Sequence, residues 1–423
     1  MEKNHENIIF FELLQVAIGN RQSLSVIPSR KEWSDLFEIA KKQALAGISF
    51  TALNKIFPAS PFDEGNAEGI DKELFFEWLG IATMIVQRNN KLNEECIKIC
   101  AELNHNGFRR CILKGQGNLE YYPEHLNSYR MPGDIDIWCS PKEHISIAVG
   151  DNKRAEYANF SGNRAIVEYV LLQSRIQKLN GGKGWYELGY HHTSYYLLSG
   201  TELELHYRPA WLSSPLRNMA MQRWFKKQID IQLDGREYKG FSVPTVGFNV
   251  VYQMTHVFNH MFEEGIGLRQ LLDYYMVLRI YYNDLGELAD HKSSMGMWVE
   301  SMTISLPSPA EITHTLSTFG LRKFAGAVMW VLQKVFAMPN CYMICPANEK
   351  EGRFLLREIM ASGNFGISDN RIKDLHKKSG VNRKIAQLKH TFRLLKHYPE
   401  ETICSPFRIY HVIWRKLSLW KYE

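Results

Sequence analysis

The segment that decides the fold is Gly133-Asp134-Ile135-Asp136-Ile137-Trp138-Cys139, in which polar and apolar residues alternate. This period of two predicts a β-strand, because successive side chains of a strand point to opposite faces. Ile135 and Ile137 then face a core, whereas Asp134 and Asp136 lie side by side on the other face. Two neighbouring carboxylates repel each other unless a cation lies between them. The strand therefore predicts a site for Mg²⁺ or Mn²⁺, which suit carboxylate ligands.

A second alternating segment, Leu203-Glu204-Leu205-His206-Tyr207, offers a third carboxylate. Its leucines share one face, and Glu204 and His206 share the other. If this strand lies beside the first, Glu204 completes the metal site and could also accept a proton from an acceptor hydroxyl. Carboxylates that hold divalent ions in this way suit a displacement at phosphorus. The alternative is that the carboxylates are solvated on an exposed strand face.

The segment Leu113-Lys114-Gly115-Gln116-Gly117 predicts a turn that binds phosphate groups. It ends a short strand that starts at Phe108 and precedes a helix-like stretch at 118–122. Glycines allow backbone N–H groups to approach phosphate oxygens closely, and the N-terminus of a helix attracts negative charge. Lys114 or Arg130 could add a positive charge to this site.

Three regions of the chain differ in periodicity, and together they predict an α+β fold. Residues 1–106 form an N-terminal helical region, residues 107–245 contain the strands of a small mixed sheet, and residues 246–423 form a C-terminal helical region. The clearest predicted elements are a capping box at Ser29 and Glu32, helices at 72–104, 162–179, 246–264, 268–282, 309–338 and 382–397, and a hairpin of strands 193–198 and 202–207.

Composition limits the class of protein. The 423 residues are 45% apolar and 23% charged, which is typical of a globular chain, and no apolar run is long enough to cross a bilayer. The polar N-terminus does not resemble a signal peptide. Seven irregularly spaced cysteines do not suggest a disulfide framework. We therefore expect a cytoplasmic protein without a membrane span.

The net charge of +6 is concentrated at the C-terminal end. Residues 371–423 contain 13 Lys and Arg against 4 Asp and Glu, whereas the remainder of the chain is slightly acidic. Such a basic tail can bind nucleic acid, an acidic lipid surface or a polyphosphate. It can equally be the solvated face of a helix.

Two pairs of residues in the C-terminal region are spaced four apart on predicted helices, and each pair therefore shares a helix face. His256 and His260 have the spacing of a zinc site but lack a clear third ligand, so packing near a cleft is the alternative. Arg269 and Asp273 could form an ion pair, or Arg269 could contact a triphosphate. The doublet His191-His192, at the start of a strand, is expected to be solvated.

These motifs resemble the uncharacterised nucleotidyltransferase family of bacteria, within the DNA polymerase β-like superfamily. The resemblance covers roughly residues 30–290. It is carried by Leu113-Lys114-Gly115, Tyr121-Tyr122-Pro123, Arg130, Gly133-Asp134-Ile135-Asp136, Glu204-Leu205-His206-Tyr207-Arg208, His256, His260, Gly267-Leu268-Arg269 and Asp273. The glycine motif Gly115-Gln116-Gly117 departs from the usual pattern of the superfamily, in which Gly or Ser follows the first glycine.

The resemblance implies a minimal nucleotidyltransferase fold and the Mg²⁺-dependent transfer of a nucleoside monophosphate from a nucleoside triphosphate (NTP) to an unidentified acceptor. Three sets of residues follow from it and from the motifs above. The catalytic and metal-binding residues are Asp134, Asp136 and Glu204. The nucleotide-binding residues are Lys114, Gly115, Gly117, Arg130, Gly133 and Arg269. The candidates for the acceptor site or cleft are His206, His256, His260 and Asp273.

Two other functions remain open on the same sequence. The basic tail is consistent with a non-catalytic protein that binds nucleotides or nucleic acid on this scaffold. The chain could also modify another protein, for which the sequence offers no test.

Overall fold

The computed structural model describes residues 2–57, 69–149, 156–263, 265–295, 306–366 and 391–407. Within these residues the fold is α+β, as predicted, with a mixed five-stranded sheet and helical regions at both ends. None of the described helices combines the length and the apolar character needed to cross a membrane.

The described helices, numbered in chain order, are α1 (Glu2–Ile18), α2 (Arg30–Lys42), α3 (Ala46–Ile56), α4 (Lys72–His105), α5 (Glu124–Asn127), α6 (Gly162–Leu179), α7 (Pro215–Gln232), α8 (Val246–Glu263), α9 (Leu268–Met295), α10 (Pro309–Thr318), α11 (Arg322–Phe336), α12 (Glu349–Ser362) and α13 (Pro399–Cys404).

The strands are β1 (Phe108–Ile112), β2 (Ile135–Pro141), β3 (Ile145–Val149), β4 (Glu156–Phe160), β5 (Tyr186–Leu188), β6 (His192–Tyr196), β7 (Glu202–His206), β8 (Glu237–Tyr238) and β9 (Phe241–Ser242). The five-stranded sheet has the order β1-β2-β7-β6-β5, in which only the central pair β2 and β7 is parallel. The strand pairs β3-β4 and β8-β9 form two small separate sheets.

The chain divides into two compact units. The first comprises Met1–Asn90, Leu119–Met131 and Asn249–Tyr398, and it is helical. Two of its helices begin at capping boxes: Ser29 and Glu32 make the predicted one at α2, and Ser308 and Glu311 make another at α10. The buried Trp78 donates a hydrogen bond of 2.7 Å to the carbonyl of Ala46.

The second unit comprises Lys91–Asn118, Pro132–Phe248 and Pro399–Glu423, and it contains the sheet. One face of the sheet is apolar because alternate residues point to it. Ile135, Ile137 and Leu205 on this face pack in a core with residues of α6 and of the second half of α4. The opposite face carries Asp136 and, further along β2, Trp138, whose ring contacts Phe225 and Phe248.

Several predicted elements are confirmed. Helix α6 spans the predicted residues 162–179, α4 ends one residue later than expected, and β6 and β7 form the predicted antiparallel hairpin. The predicted helix at 382–397 lies mostly outside the described residues. The division of the sequence into regions 1–106, 107–245 and 246–423 stays a prediction.

The prediction of a single helix over residues 309–338 was wrong, because this segment forms the two helices α10 and α11. Gly320 adopts a φ of +76°, which ends α10 in a left-handed turn. The N–H of Leu321 donates a 2.8 Å hydrogen bond to the carbonyl of Leu316, which is the bond expected of such a helix end. The chain then starts α11 at Arg322.

Candidate active site

The start of β2 places the two predicted aspartates around Ile135. Asp136 lies within the strand and is only 1% exposed, whereas Asp134 immediately precedes the strand and is partly exposed. The Nζ atom of Lys114 lies 3.0 Å from Asp136 Oδ1 and 4.0 Å from Asp134 Oδ2. Since one ammonium group lies within 4 Å of both carboxylates, the two side chains share a face, as the alternation predicts.

The neighbouring strand supplies Glu204 at the same level. Strands β2 and β7 pair in parallel, and Asp136 and Glu204 are partners in the register. His206 joins the two carboxylates, because its Nε2 atom lies 3.0 Å from Asp136 Oδ1 and 3.1 Å from Glu204 Oε2. The structure thus brings Asp134, Asp136, Glu204 and His206 together with Lys114. Their catalytic roles stay a prediction.

Charge compensation sets the protonation states in this cluster. Burial opposes a charge on Glu204, but the hydrogen bond with His206 and the charges of His192 and His206 together lower the pKa of Glu204 to about 2. For His206, burial disfavours the imidazolium, but the hydrogen bonds to Asp136 and Glu204 raise its pKa to about 9. Lys114 and His206 are therefore the two cations that balance the carboxylates.

A fourth carboxylate, which the sequence analysis missed, belongs to Glu202. It precedes Glu204 by two residues on β7, so it lies on the same face. Burial, followed by the charges of Glu204 and Asp134, raises the pKa of Glu202 to about 7. Its spacing of two from Glu204 repeats that of Asp134 and Asp136, and this repeated spacing was the available signal.

The donor atoms of the cluster fit a divalent cation. Asp136, Glu204 and His206 each offer one atom, and these atoms all lie within 4.8 Å of one another. The second carboxylate oxygen of Asp136, Oδ2, is buried, and within the described structure it has no hydrogen-bond partner. A buried carboxylate oxygen without a donor is costly, and a cation would satisfy it.

The predicted phosphate-binding turn is held against the strand that carries the aspartates. The N–H of Leu113 donates a 2.9 Å hydrogen bond to the carbonyl of Asp136, and a 3₁₀ helix follows from Gly115 to Tyr121. Gly115 has a φ of +59°, which favours glycine. A Cβ atom at Gly117 would lie 2.7 Å from the carbonyl oxygen of Ile112. Gly115 is therefore favoured by its backbone conformation, and Gly117 by its close approach to the backbone of β1.

Two nucleotide-binding candidates, Arg130 and Arg269, lie in the first compact unit with Asp273. The buried guanidinium of Arg130 donates two hydrogen bonds of 2.7 Å to the Asp273 carboxylate, which also accepts one from Tyr122. Despite burial, the charges of Arg130 and Arg269 lower the pKa of Asp273. Arg269 donates to the carbonyl of Met131 at 3.0 Å. Arg130 therefore already has a buried partner in Asp273.

His256 and His260 lie on one face of α8 in the first unit, as their spacing predicts. Their ring centroids are 4.3 Å apart, and the ring of Tyr252 stacks on His256 at 5.9 Å. Within the described part of the chain, neither histidine belongs to a group of three side chains that could hold a metal ion. Ring packing is therefore the arrangement that the structure shows for this pair.

The basic tail contributes little to the described structure. Only residues 391–407 of the predicted tail at 371–423 are described, and these contain two basic and two acidic side chains. Among them, Glu401 accepts hydrogen bonds from the N–H groups of Ser213 and Ser214. The remainder of the tail, with its excess of positive charge, lies outside the described residues.

The doublet His191-His192 lies at this site, although the sequence analysis expected it to be solvated. Both side chains are half-buried, and their ring centroids lie 5.5 and 5.1 Å from that of His206. The cause is the register of the hairpin, which pairs His192 with His206. A pairing between strands cannot be read from the local pattern around residue 191.

Comparison with known proteins places the chain in a family. No curated protein and no solved structure matches it at a significant level. The family model described as uncharacterised nucleotidyltransferase matches residues 29–296, which is more than half of the chain. The matched segment contains Asp134, Asp136 and Glu204 together with Lys114. The chain therefore belongs to the family of uncharacterised nucleotidyltransferases, which are transferases of phosphorus-containing groups.

Proposed function

We propose that the chain transfers a nucleoside monophosphate from an NTP to an acceptor hydroxyl or phosphate, with Mg²⁺ or Mn²⁺ as the cofactor. The observation that carries the proposal is the register of the central strands, which places Glu204 directly beside Asp136. Asp134 lies on the same face, within 4.0 Å of the lysine that contacts Asp136. Three carboxylates, from β7 and from the start of β2, are thus available to bind one cation.

Asp134, Asp136 and Glu204 are the residues that we assign to the divalent ion. When bound, such an ion neutralises charge on the transferring phosphoryl group and lowers the pKa of the attacking hydroxyl. A carboxylate with a pKa of about 2 is a weak proton acceptor. We therefore assign Glu204 to metal binding rather than to general-base catalysis.

Lys114 and the turn that follows it are assigned to the triphosphate. The ammonium group of Lys114 lies beside the carboxylates, 3.0 Å from Asp136, where it can add a positive charge to the triphosphate. Gly115, Gly117 and Gly133 allow the backbone to approach the phosphates closely. The pairing of Arg130 with Asp273 favours a structural role for this arginine, whereas Arg269 stays a candidate for nucleotide contact.

The seven cysteines, all in the described residues, are free thiols. Free thiols support the proposal that the protein acts in a reducing compartment such as the cytoplasm. The proposal leaves the base of the NTP and the chemical nature of the acceptor unassigned.

The test uses NTPs labelled at either the α- or the γ-phosphate, incubated with the full chain, Mg²⁺ and cell extract. Transfer of a nucleoside monophosphate leaves the α-label on a new product and releases the γ-label in pyrophosphate. The matched control is the double variant Asp134→Asn with Asp136→Asn, which keeps the side-chain shapes. The proposal fails if only the γ-label is transferred, or if the double variant labels the product as fast as the wild type.

A further inference from the structure

The imidazole rings of His191, His192 and His206 lie in contact with one another where β6 and β7 pair. His192 and His206 are partners in the register of the two strands, and His191 immediately precedes β6. The backbone fixes His191 at this position, since the N–H groups of Tyr207 and Arg208 donate to its carbonyl at 3.1 and 3.0 Å. The three rings are therefore positioned by main-chain hydrogen bonds of two adjacent strands.

The nitrogen atoms of these rings are close enough to share one metal ion. One ring nitrogen from each of His191, His192 and His206 lies within 4.8 Å of the other two. His191 Nε2 and His192 Nδ1 lie 2.9 Å apart. In a tetrahedral zinc site with Zn–N bonds of ~2.0–2.1 Å, ligand nitrogens lie about 3.3 Å apart. Small ring rotations would bring the three nitrogens to that spacing.

His206 has the hydrogen bonds of a metal ligand. A histidine that binds a metal through one nitrogen commonly donates its other N–H group to a carboxylate, which fixes the ring. The Nε2 atom of His206 meets the carboxylates of Asp136 and Glu204 at 3.0 and 3.1 Å. Its Nδ1 atom is buried, and within the described structure it has no hydrogen-bond partner, while the residue is only 3% exposed. We assign Nδ1 to the metal ion, which would replace the proton that the imidazolium of His206 carries there in the metal-free protein.

We propose that His191, His192 and His206 form a second metal site, which binds a nitrogen-preferring divalent ion of the zinc class. Imidazole ligands favour Zn²⁺ and its neighbours over Mg²⁺. Three histidines also leave a fourth position open, as in catalytic rather than structural zinc sites. The proposal does not depend on nucleotidyl transfer, because none of its three ligands is among the carboxylates assigned to Mg²⁺. His206 contributes to it through Nδ1, whereas its Nε2 atom lies beside Asp136 and Glu204.

The test measures metal binding to the tag-free full chain after removal of metals with a chelator. Co²⁺ is the spectroscopic probe, since nitrogen-ligated Co²⁺ of low coordination number absorbs visible light much more strongly than the octahedral ion. The affinity for Zn²⁺ is measured by competition with a coloured chelator. The test variants are His191→Gln and His192→Gln, and the matched control is His144→Gln, which replaces an exposed histidine of the same compact unit.

We expect the wild type and His144→Gln to bind one equivalent of Co²⁺ with intense visible bands. Loss of a group that only orients a metal ligand costs about 10- to 100-fold in affinity. His191→Gln and His192→Gln should therefore each weaken Zn²⁺ binding by at least ~10-fold. Unchanged binding in both variants, weak octahedral Co²⁺ bands, or the absence of stoichiometric binding would each overturn the proposal. Melting curves of the metal-free variants establish that they are folded.

The variant Asp134→Asn separates this proposal from the proposed function. It should lose Mg²⁺-dependent transfer of the α-label but keep the affinity of the wild type for Zn²⁺. If transfer is never observed while Zn²⁺ binding depends on His191 and His192, only the proposed function fails. If transfer is observed but Zn²⁺ binding depends on Asp134 and not on the histidines, only the second metal site fails.

Discussion

The carboxyl group of Asp136 is buried, and burial of such a group is costly unless partners compensate for it. Lys114 and His206 supply that compensation through contacts of 3.0 Å each, yet the Oδ2 atom of the carboxylate has no hydrogen-bond partner in the described structure. A buried carboxylate oxygen without a donor is available to a cation, which is the role that we propose for Asp136. The neighbouring carboxylates allow this role to be tested residue by residue.

Glu204 and Glu202 form a matched pair for mutation, because both are partly buried glutamates on the same face of β7. Only Glu204 lies opposite Asp136 in the register and shares the hydrogen bond from His206. We expect Glu204→Gln to reduce kcat/KM for nucleotidyl transfer by at least ~100-fold, and Glu202→Gln by no more than about 10-fold. Steady-state kinetics at saturating Mg²⁺ measure both. Equal losses in the two variants would contradict the assignment of Glu204.

The buried pair of Arg130 and Asp273 predicts a pH-dependent stability. The pKa of Asp273 is lowered in the folded protein, so the ionised carboxylate stabilises the fold above its unfolded pKa of ~3.9, and this contribution is lost as the pH falls through the lower folded value. Asp273→Ala should cost ~3–5 kcal/mol at pH 7, since it leaves a buried guanidinium without its partner.

Urea unfolding of the wild type and of Asp273→Asn between pH 7 and 3 provides the measurement. The difference in the free energy of unfolding should be constant down to about pH 5 and should shrink below about pH 4. A difference that grows as the pH falls would show that the sign of the pKa shift is wrong.

Single residues differ in how far the sequence predicts them. Asp134 and Asp136 follow from local alternation, and the placement of Glu204 follows once its strand is assumed to be a neighbour. Arg130 was expected at the phosphates, but it pairs with Asp273, which lies 143 positions away in the sequence. Such a contact depends on tertiary packing and has no local signature.

At the level of secondary structure, the turn between β1 and the 3₁₀ helix is closely constrained by its glycines. A Cβ atom at Gly117 would meet the carbonyl oxygen of Ile112 at 2.7 Å, and this oxygen belongs to the backbone of β1. The turn can therefore accept a side chain there only if the strand shifts. Leu113, which follows Ile112, donates a backbone hydrogen bond to the carbonyl of Asp136. A shift of the strand would therefore disturb the aspartates as well.

Gly117→Ala should accordingly destabilise the protein by ~1–3 kcal/mol, as expected of an overpacked position. Gly80→Ala is the control, and we expect it to change the stability in the opposite direction. Gly80 lies in α4 with open space around its Cα atom, so alanine should stabilise the helix by ~0.5–1 kcal/mol. Chemical denaturation measures both. A neutral Gly117→Ala variant would show that the turn tolerates the added carbon.

Elements were predictable where one periodicity continued without interruption. Helix α6 has a regular apolar face and was predicted with its observed bounds. Helix α7 was not recognised, and its buried positions include Asn218 and Gln232, which interrupt the apolar pattern. Helix α12 was missed, although the side chain of Asn348 caps its N-terminus by accepting a hydrogen bond from the N–H of Glu351.

Considered as a whole, the chain places the carboxylate cluster and the turn that is proposed to bind phosphate in one compact unit built around the mixed sheet. The α+β class was predictable because the change from helical to strand periodicity near residue 107 is abrupt. The sequence analysis only assumed that β2 and β7 are neighbours and did not predict that they are parallel, since the pairing joins segments about 70 residues apart. The proposed activity depends on that pairing.

Binding of Mn²⁺ tests the central claim most directly, because the claim is that Asp136 and its neighbours jointly bind a divalent ion together with an NTP. Electron paramagnetic resonance measures free Mn²⁺ during titration of the full chain with non-hydrolysable NTP analogues of each base. The variants are Asp136→Asn and, as a control, Asp230→Asn, which alters an exposed ion pair with Arg109. We predict that Asp136→Asn weakens Mn²⁺ binding by at least ~10-fold, whereas Asp230→Asn leaves it unchanged. Wild-type affinity in Asp136→Asn would contradict the account.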